Sequence, residues 1–219
     1  MNSKALVVIA VVVVAAAVGG VYFAVLRHHV TSTVSPTSVS SLASSRPGEV
    51  NESQISSLLG GNWSLLSNVS LVASVNKGVA EIYFLNGTNK TLANSTDFEM
   101  PGPSGQPNGG YPEWLAVYSY MSKSGNQTFL IQIEIFRVNE TQVNWTLSGI
   151  ESTYRVSPKS SDGLTYVELT PYAPLSNITY FVASYQGRYI LIIISFSNAS
   201  PSQLLQLAEA SSGRLSSAP

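Results

Sequence analysis

The residues whose spacing most suggests chemistry in this 219-residue sequence are asparagines. An asparagine two residues before Ser or Thr, with any residue except Pro between them, is an acceptor for N-linked glycosylation. Eleven of the 14 asparagines stand in this context, whereas random placement in a chain so rich in Ser and Thr would give roughly three. The sequence therefore predicts glycosylation at Asn51, Asn62, Asn68, Asn86, Asn89, Asn94, Asn126, Asn139, Asn144, Asn177 and Asn198.

The positions of these asparagines along the chain favour the same interpretation. Asn86 precedes Gly87 in a predicted turn, and both Asn139 and Asn198 follow apolar runs that read as strands. Turns and strand ends lie on the surface, where a bulky sugar can face water. We therefore expect an N-glycosylated protein.

The side chains needed for common catalytic and metal sites are largely missing. Cysteine is absent, and both histidines, His28 and His29, flank the N-terminal apolar run. The region after them therefore cannot hold a Ser-His-Asp triad, a Cys-His pair or a zinc site built on His or Cys. The sequence also contains no P-loop, dinucleotide-binding motif or nucleophile elbow. We predict no catalytic, cofactor-binding or metal-binding residues, and hence no enzyme.

Carboxylates are the remaining candidates for acid–base chemistry. Glu134 alternates with Ile133 and Ile135 and so falls on the polar face of a predicted strand, and Glu168 could face similarly. A cross-strand pair of carboxylates can perform hydrolysis. We expect instead that both are solvated groups on an exposed sheet face, and we retain an exported carboxylate-dependent hydrolase as an alternative.

Residues 1–29 predict an N-terminal signal-anchor. Residues 5–26 carry no charge, and at about 1.5 Å per residue they would span a hydrocarbon core of roughly 30 Å. Cleavage after Ala15–Ala17 is less favoured, because the run stays apolar to Leu26. Residues 4–7 also resemble the processing site of archaeal pilin-type signals. That resemblance would make the chain a pilin-like filament subunit, which we keep as a second alternative.

Residues 30–47 predict a linker between this anchor and the rest of the chain. Within Thr31–Pro47, ten of 17 residues are Ser or Thr and two are Pro. Such a composition buries too little apolar surface to fold by itself, and it would hold the domain away from the membrane. Because the glycosylation sites follow the anchor, we expect a single-pass membrane protein whose C-terminal domain is extracellular.

The low content of charged residues limits the classes of partner. Only 11% of residues are charged and the net charge is −1. Without a basic patch, nucleic acid is not an expected partner. A surface with few ionisable groups changes its charge little with pH, which favours an acidic exterior. Many glycosylation sites without cysteine also suit an archaeal cell surface.

The pattern over residues 48–213 predicts one α+β domain with a mainly antiparallel sheet and flanking helices, followed by a tail at 214–219. We expect the helices on one face of the sheet and Tyr189–Ile194 at its centre, because that run is apolar on both faces. Helices should begin at the capping residues Asn51, Asn139 and Ser200. The predicted strands are Val69–Val75, Val79–Leu85, Leu115–Met121, Thr128–Val138, Leu164–Leu169, Ile178–Tyr185 and Arg188–Phe196.

The last hairpin, turning at Gln186-Gly187 and leading into the terminal helix, is similar to arrangements in exported PsbP-like domains and bacterial lipoprotein sensor domains. The resemblance covers Ile178–Ser212 and implies no function. Taken together, the patterns predict a membrane-anchored, N-glycosylated cell-surface protein with a non-catalytic binding or envelope role. Its expected partners are the membrane through residues 5–26, its N-linked glycans, and a cell-envelope protein or carbohydrate.

Overall fold

A computed structural model of the protein describes residues 39–76, 79–92, 98–100, 110–169 and 178–215. The predicted anchor at 5–26, the first part of the predicted linker, and the glycosylation sites Asn94 and Asn177 lie outside the described residues. Within those ranges, no helix combines the length and the apolar character needed to cross a membrane.

Four helices and ten strands make up the described part of the chain. The helices are α1 (Val39–Ser45), α2 (Glu52–Leu59), α3 (Glu140–Tyr154) and α4 (Pro201–Ser212). The strands are β1 (Trp63–Leu65), β2 (Leu71–Asn76), β3 (Val79–Phe84), β4 (Asn89–Leu92), β5 (Trp114–Ser124), β6 (Gln127–Arg137), β7 (Lys159–Ser161), β8 (Leu164–Leu169), β9 (Thr179–Tyr185) and β10 (Tyr189–Phe196).

The strands form one antiparallel sheet in the order β4–β3–β2–β5–β6–β10–β9–β8–β7, with β1 paired to β5. Successive predicted strands pair as the hairpins β2–β3, β5–β6 and β9–β10, the last of them turning at Gln186-Gly187 as predicted. The predicted class, a mainly antiparallel sheet with helices, is therefore confirmed. Strand β10 lies between β6 and β9 and is buried from Tyr189 to Ser195, as its apolar composition predicts.

Each face of the sheet carries its own apolar cluster. On β6, Ile131, Ile133 and Ile135 belong to a first cluster, whereas Phe136 belongs to a second. This division follows from the two-residue period of a strand, which sends successive side chains to opposite faces. Both faces of the central strands are therefore buried.

The helices cover both of these faces. Leu42 of α1, Ile55 of α2 and Leu204 of α4 pack in the first cluster. Val143 and Ile150 of α3 pack in the second. The expectation that all helices lie on one face is therefore wrong, because a central strand that is apolar on both sides needs cover on both sides.

The helices begin at the predicted capping residues. The side chain of Asn51 caps α2, and Asn139 and Ser200 each take part in a capping box at the start of α3 and α4. Helix α3 extends to Tyr154, and Ile150 in its last turns is buried in the second cluster. Burial of an apolar face stabilises these turns beyond what their local propensity supplies.

The folded region begins before residue 48 and ends after residue 213, the predicted limits of the domain. Part of the predicted linker forms α1, whose Leu42 is buried, and Leu215 in the predicted tail is also buried. Both residues belong to the first cluster. Local composition does not predict the burial of Leu42 and Leu215, because their apolar partners come from distant parts of the chain.

Residues 47–50, which we name the tether segment, connect α1 to α2 and are held to the core by side chains. Four consecutive carbonyl groups of the segment each accept a hydrogen bond from a side chain. The four bonds are Tyr118 Oη to Pro47 O (2.9 Å), Ser211 Oγ to Gly48 O (2.7 Å), Arg214 Nη1 to Glu49 O (2.7 Å) and Tyr120 Oη to Val50 O (2.5 Å). The segment thereby satisfies its backbone acceptors without belonging to the sheet.

Candidate functional site

All nine predicted glycosylation sites within the described residues are exposed to solvent. A glycan-bearing asparagine must face water, so a predicted site on a buried face would have counted against glycosylation there. The nine are Asn51, Asn62, Asn68, Asn86, Asn89, Asn126, Asn139, Asn144 and Asn198.

Seven of these nine asparagines lie in connections or helix caps, where the chain changes direction. Asn89 is the first residue of β4, and Asn144 lies on an exposed side of α3. The fold thus distributes the sites over many connections around the sheet. Their distribution predicts a glycan coat over the domain, with no single concentrated patch.

The side-chain oxygens of three of these asparagines accept hydrogen bonds from backbone N–H groups. The Oδ1 atoms of Asn51 and Asn139 each accept a bond from the backbone N–H three residues later, at 2.8 and 2.9 Å. In the β3–β4 turn, Asn86 Oδ1 accepts one from Thr88 N at 3.0 Å. N-linked glycans attach to the amide nitrogen Nδ2, and the modified amide keeps its oxygen as an acceptor. Capping and glycosylation are therefore chemically compatible at these positions.

The hydroxyl residues of the glycosylation motifs differ in accessibility. Ser53 and Thr88 are exposed, and each hydroxyl donates to the oxygen of its own asparagine, at 2.7 and 2.8 Å. Ser70, which completes the motif of Asn68, is fully buried and accepts a bond from Ser119 N at 3.0 Å. Because this hydroxyl is part of the motif that the transferase recognises, folding hides one of the two recognised residues at Asn68.

Glu134, which we expected on an exposed face, is fully buried. Its cross-strand neighbours are Val117 on β5 and Ile192 on β10, both in the second cluster. The expectation was wrong because the alternation on β6 separates two buried faces, not a buried face from an exposed one. Periodicity showed correctly that Glu134 and Ile133 face opposite ways, but not that α3 would cover the second face.

The burial of Glu134 determines its protonation. Gln132 Nε2 donates to Oε1 at 2.5 Å, whereas Oε2 has no hydrogen-bond partner. Burial raises the pKa of Glu134 to about 8, against the opposing effect of the Gln132 bond, because an ionised carboxylate is poorly solvated in an apolar cluster. Glu134 therefore keeps its proton at neutral pH. Nearby Tyr180 has a raised pKa for two reasons, its own burial and then the charge of Glu134.

Glu134 and Glu168 do not form a carboxylate pair. The strand register aligns Glu134 with Ile192, Val182 and Val167 in a row across the sheet. Val167 therefore shares a face with Glu134, and Glu168, the next residue, lies on the opposite face. The arrangement considered for an exported hydrolase at these two residues is absent.

A polar cleft of about 660 Å³ lies where β5 begins, β6 ends and α3 begins. Its lining includes Glu113, Arg137, Asn139, Glu140 and Arg188, so it presents two guanidinium and two carboxylate groups. Arg137 Nε lies 2.8 Å from Glu113 Oε2. Local sequence gave no signal for this cleft, because its walls come from three separated parts of the chain.

The β9–β10 turn forms one wall of this cleft. Gln186 and Gly187 have φ values of 53° and 62°, the left-handed pair of a tight two-residue hairpin turn. Val138 N donates to the Arg188 carbonyl at 2.8 Å, which joins the turn to the end of β6. A Cβ at Gly187 would lie 3.8 Å from Glu140 Cγ. The turn and the start of α3 are therefore neighbours.

No protein-family model, curated protein or solved structure matches this chain. Among the described residues, no group of three or more His, Asp or Glu side chains could hold a metal ion.

Proposed function

We propose that this chain is an N-glycosylated cell-surface protein, anchored in the membrane by residues 5–26, whose α+β domain has a non-catalytic binding or envelope role. The observation that carries the proposal is the exposure of all nine described glycosylation motifs, in a chain where eleven of 14 asparagines stand in such motifs. A domain that evolved inside the cytoplasm would have no reason to accumulate them.

The attachment of the tether segment supports this proposal. In an anchored protein, any pull between the membrane and the domain acts on the chain where it enters the folded core. Within the described residues that entry is α1, whose Leu42 is buried in the first cluster, and the tether segment directly after it is held by four side-chain hydrogen bonds, from β5, α4 and the turn after α4. Each such bond contributes about 0.5–1.5 kcal/mol, or more where the donor is charged. Under this proposal, these bonds hold the segment that leads to the membrane anchor firmly on the core.

The deciding experiment is analysis of the native protein from the membranes of its own cells. Site-resolved mass spectrometry should find glycans on the motif-containing peptides, and enzymatic deglycosylation should reduce the intact mass towards 23.4 kDa. Protease added to intact cells should remove the domain. Recovery of an unmodified chain from the cytosol would contradict the proposal. Leu6 as the mature N-terminus would instead support the pilin-like filament subunit.

One observation favours a second candidate, an exported carboxylate-dependent hydrolase. Glu113 and Glu140 line the same cleft, and two carboxylates in a cleft can supply a general acid and a general base. Against it, Glu113 is ion-paired with Arg137 and its side chain is 65% exposed. Hydrolysis assays on a panel of glycosides and esters decide between the non-catalytic role and the hydrolase. Turnover that disappears in both Glu113→Gln and Glu140→Gln would establish the hydrolase, and no turnover by the unmodified sequence would exclude it for that panel.

A further inference from the structure

We propose that the polar cleft beside α3 binds the first sugars of this protein's own N-linked glycan, attached at Asn139. The inference rests on the proposed glycosylation and goes beyond it, because it assigns one glycan a binding site on the domain. The other described sites have no such assignment, and we expect their sugars to extend into solvent.

The geometry of Asn139 fixes where a sugar would leave the protein. Asn139 lines the cleft and also caps α3, with its Oδ1 accepting from Gln142 N at 2.9 Å. In return, Gln142 Oε1 accepts from Asn139 N at 3.0 Å, completing the capping box. These reciprocal bonds hold the side chain in one orientation, so a sugar on Nδ2 leaves in a fixed direction from a residue that lines the cleft.

The lining of the cleft matches the chemistry of a sugar. Carbohydrate hydroxyl groups both donate and accept hydrogen bonds, and Arg and Glu side chains supply fixed donors and acceptors. Arg137 is held in place by Glu113, while the side chain of Arg188 makes no hydrogen bond or ion pair with another described residue. Arg188 therefore has donor groups available to an attached sugar.

The size and openness of the cleft also fit an attached glycan. Its volume of about 660 Å³ lies within the roughly 300–1,000 Å³ typical of small-ligand sites. Asn139, Glu140 and Arg188 line the cleft and are all exposed, so the outer sugars can continue into solvent. Covalent attachment keeps the sugar at a high effective concentration beside the cleft, so weak contacts are enough to hold it.

The β5–β6 turn provides a matched comparison. Asn126 is exposed there next to Gly125, at which an added Cβ would meet no atom within 4 Å. A glycan at Asn126 thus projects from an open turn, whereas one at Asn139 lies against a lined cleft. The two motifs can be removed separately by Thr128→Ala and Thr141→Ala, which leave both asparagines unchanged.

The experiment measures whether Arg188 and the Asn139 glycan stabilise the domain together. The full chain would be expressed in its native host as four proteins: unmodified sequence, Arg188→Ala, Thr141→Ala and the double variant. Arg188→Ala should lower the Tm of the glycosylated protein by about 2–4 °C and have no effect when Thr141→Ala has removed the glycan. In proteins that also carry Thr128→Ala and so lack only the Asn126 glycan, Arg188→Ala should lower the Tm by the same amount as in the unmodified sequence.

The possible failures are distinguishable. An equal Tm shift from Arg188→Ala with and without the Asn139 glycan would overturn the cleft proposal and leave glycosylation standing. Mass spectrometry that finds glycans at other sites but none at Asn139 would overturn it in the same way. A chain without glycans at any site would overturn the proposed function itself.

Discussion

Replacing Glu134 with Gln should remove a pH-dependent destabilisation of the fold. Glu134 is fully buried between Val117 and Ile192, its Oε2 atom has no hydrogen-bond partner, and its pKa is raised to about 8. The carboxyl group is therefore neutral in the folded protein at pH 7, where it would be ionised in the unfolded chain. Gln has nearly the same shape, stays neutral at every pH and can still accept the bond from Gln132.

The sign and size of the effect follow from the two pKa values. Below about pH 4.5 the group is protonated in both states and contributes no pH dependence. Between 4.5 and about 8 the unfolded chain releases a proton that the folded protein retains, so the free energy of unfolding falls as pH rises. The fall is about 1.4 kcal/mol per pH unit, which amounts to roughly 3 kcal/mol at pH 7. That is a substantial part of the 5–15 kcal/mol by which domains are usually stable.

Chemical denaturation of the unmodified protein and the Glu134→Gln variant at pH 4.5, 6 and 7.5 tests this prediction. The unmodified protein should lose stability as pH rises, and Glu134→Gln should lose clearly less. Burial also raises the pKa of Glu49, so part of the slope will remain in the variant. Glu168→Gln is the control, because Glu168 is half-buried on the opposite face, and its slope should match that of the unmodified protein. Parallel pH profiles for Glu134→Gln and the unmodified protein would refute the reasoning.

Three further predictions concern the tether segment and the order of modification. Tyr120→Phe should cost about 1–3 kcal/mol, because the buried carbonyl of Val50 loses its donor; denaturant titration should show this, and an unchanged midpoint would contradict the bond. Gly48→Ala should destabilise the domain by more than about 1 kcal/mol, because φ is 72° and the added methyl would enter the core. Gly60 is also at positive φ but in open space, so Gly60→Ala should destabilise the domain less than Gly48→Ala when both are compared by thermal unfolding. Finally, a transferase given folded protein should modify Asn86 but not Asn68, whose motif serine is buried; equal occupancy by mass spectrometry would show that burial does not matter.

The elements that depend on neighbouring residues were predictable from the sequence. Asn51, Asn139 and Ser200 cap helices because each side chain bonds the backbone three residues on, so the signal and the structure lie within one turn. The Gln186-Gly187 turn and the flanking strands are local in the same way. The candidate glycosylation sites are also local motifs, and for seven of the nine described ones exposure follows from their places in connections and caps.

Burial, by contrast, was decided by tertiary structure. Alternation on β6 places Glu134 opposite Ile133, but whether a face meets water depends on which helix returns across it, and α3 covers the face of Glu134. The same reason explains Leu42, which lies in a Ser-rich segment and is buried by the first cluster.

The cleft could not be derived from the sequence either. Glu113, Asn139 and Arg188 are far apart along the chain and meet because the sheet order sets β5, β6 and β10 side by side. Residue type and local spacing determine turns, caps and acceptor motifs, since those interactions close within a few residues. The partners of a side chain across a sheet depend on strand order and register, which arise only when the whole chain packs.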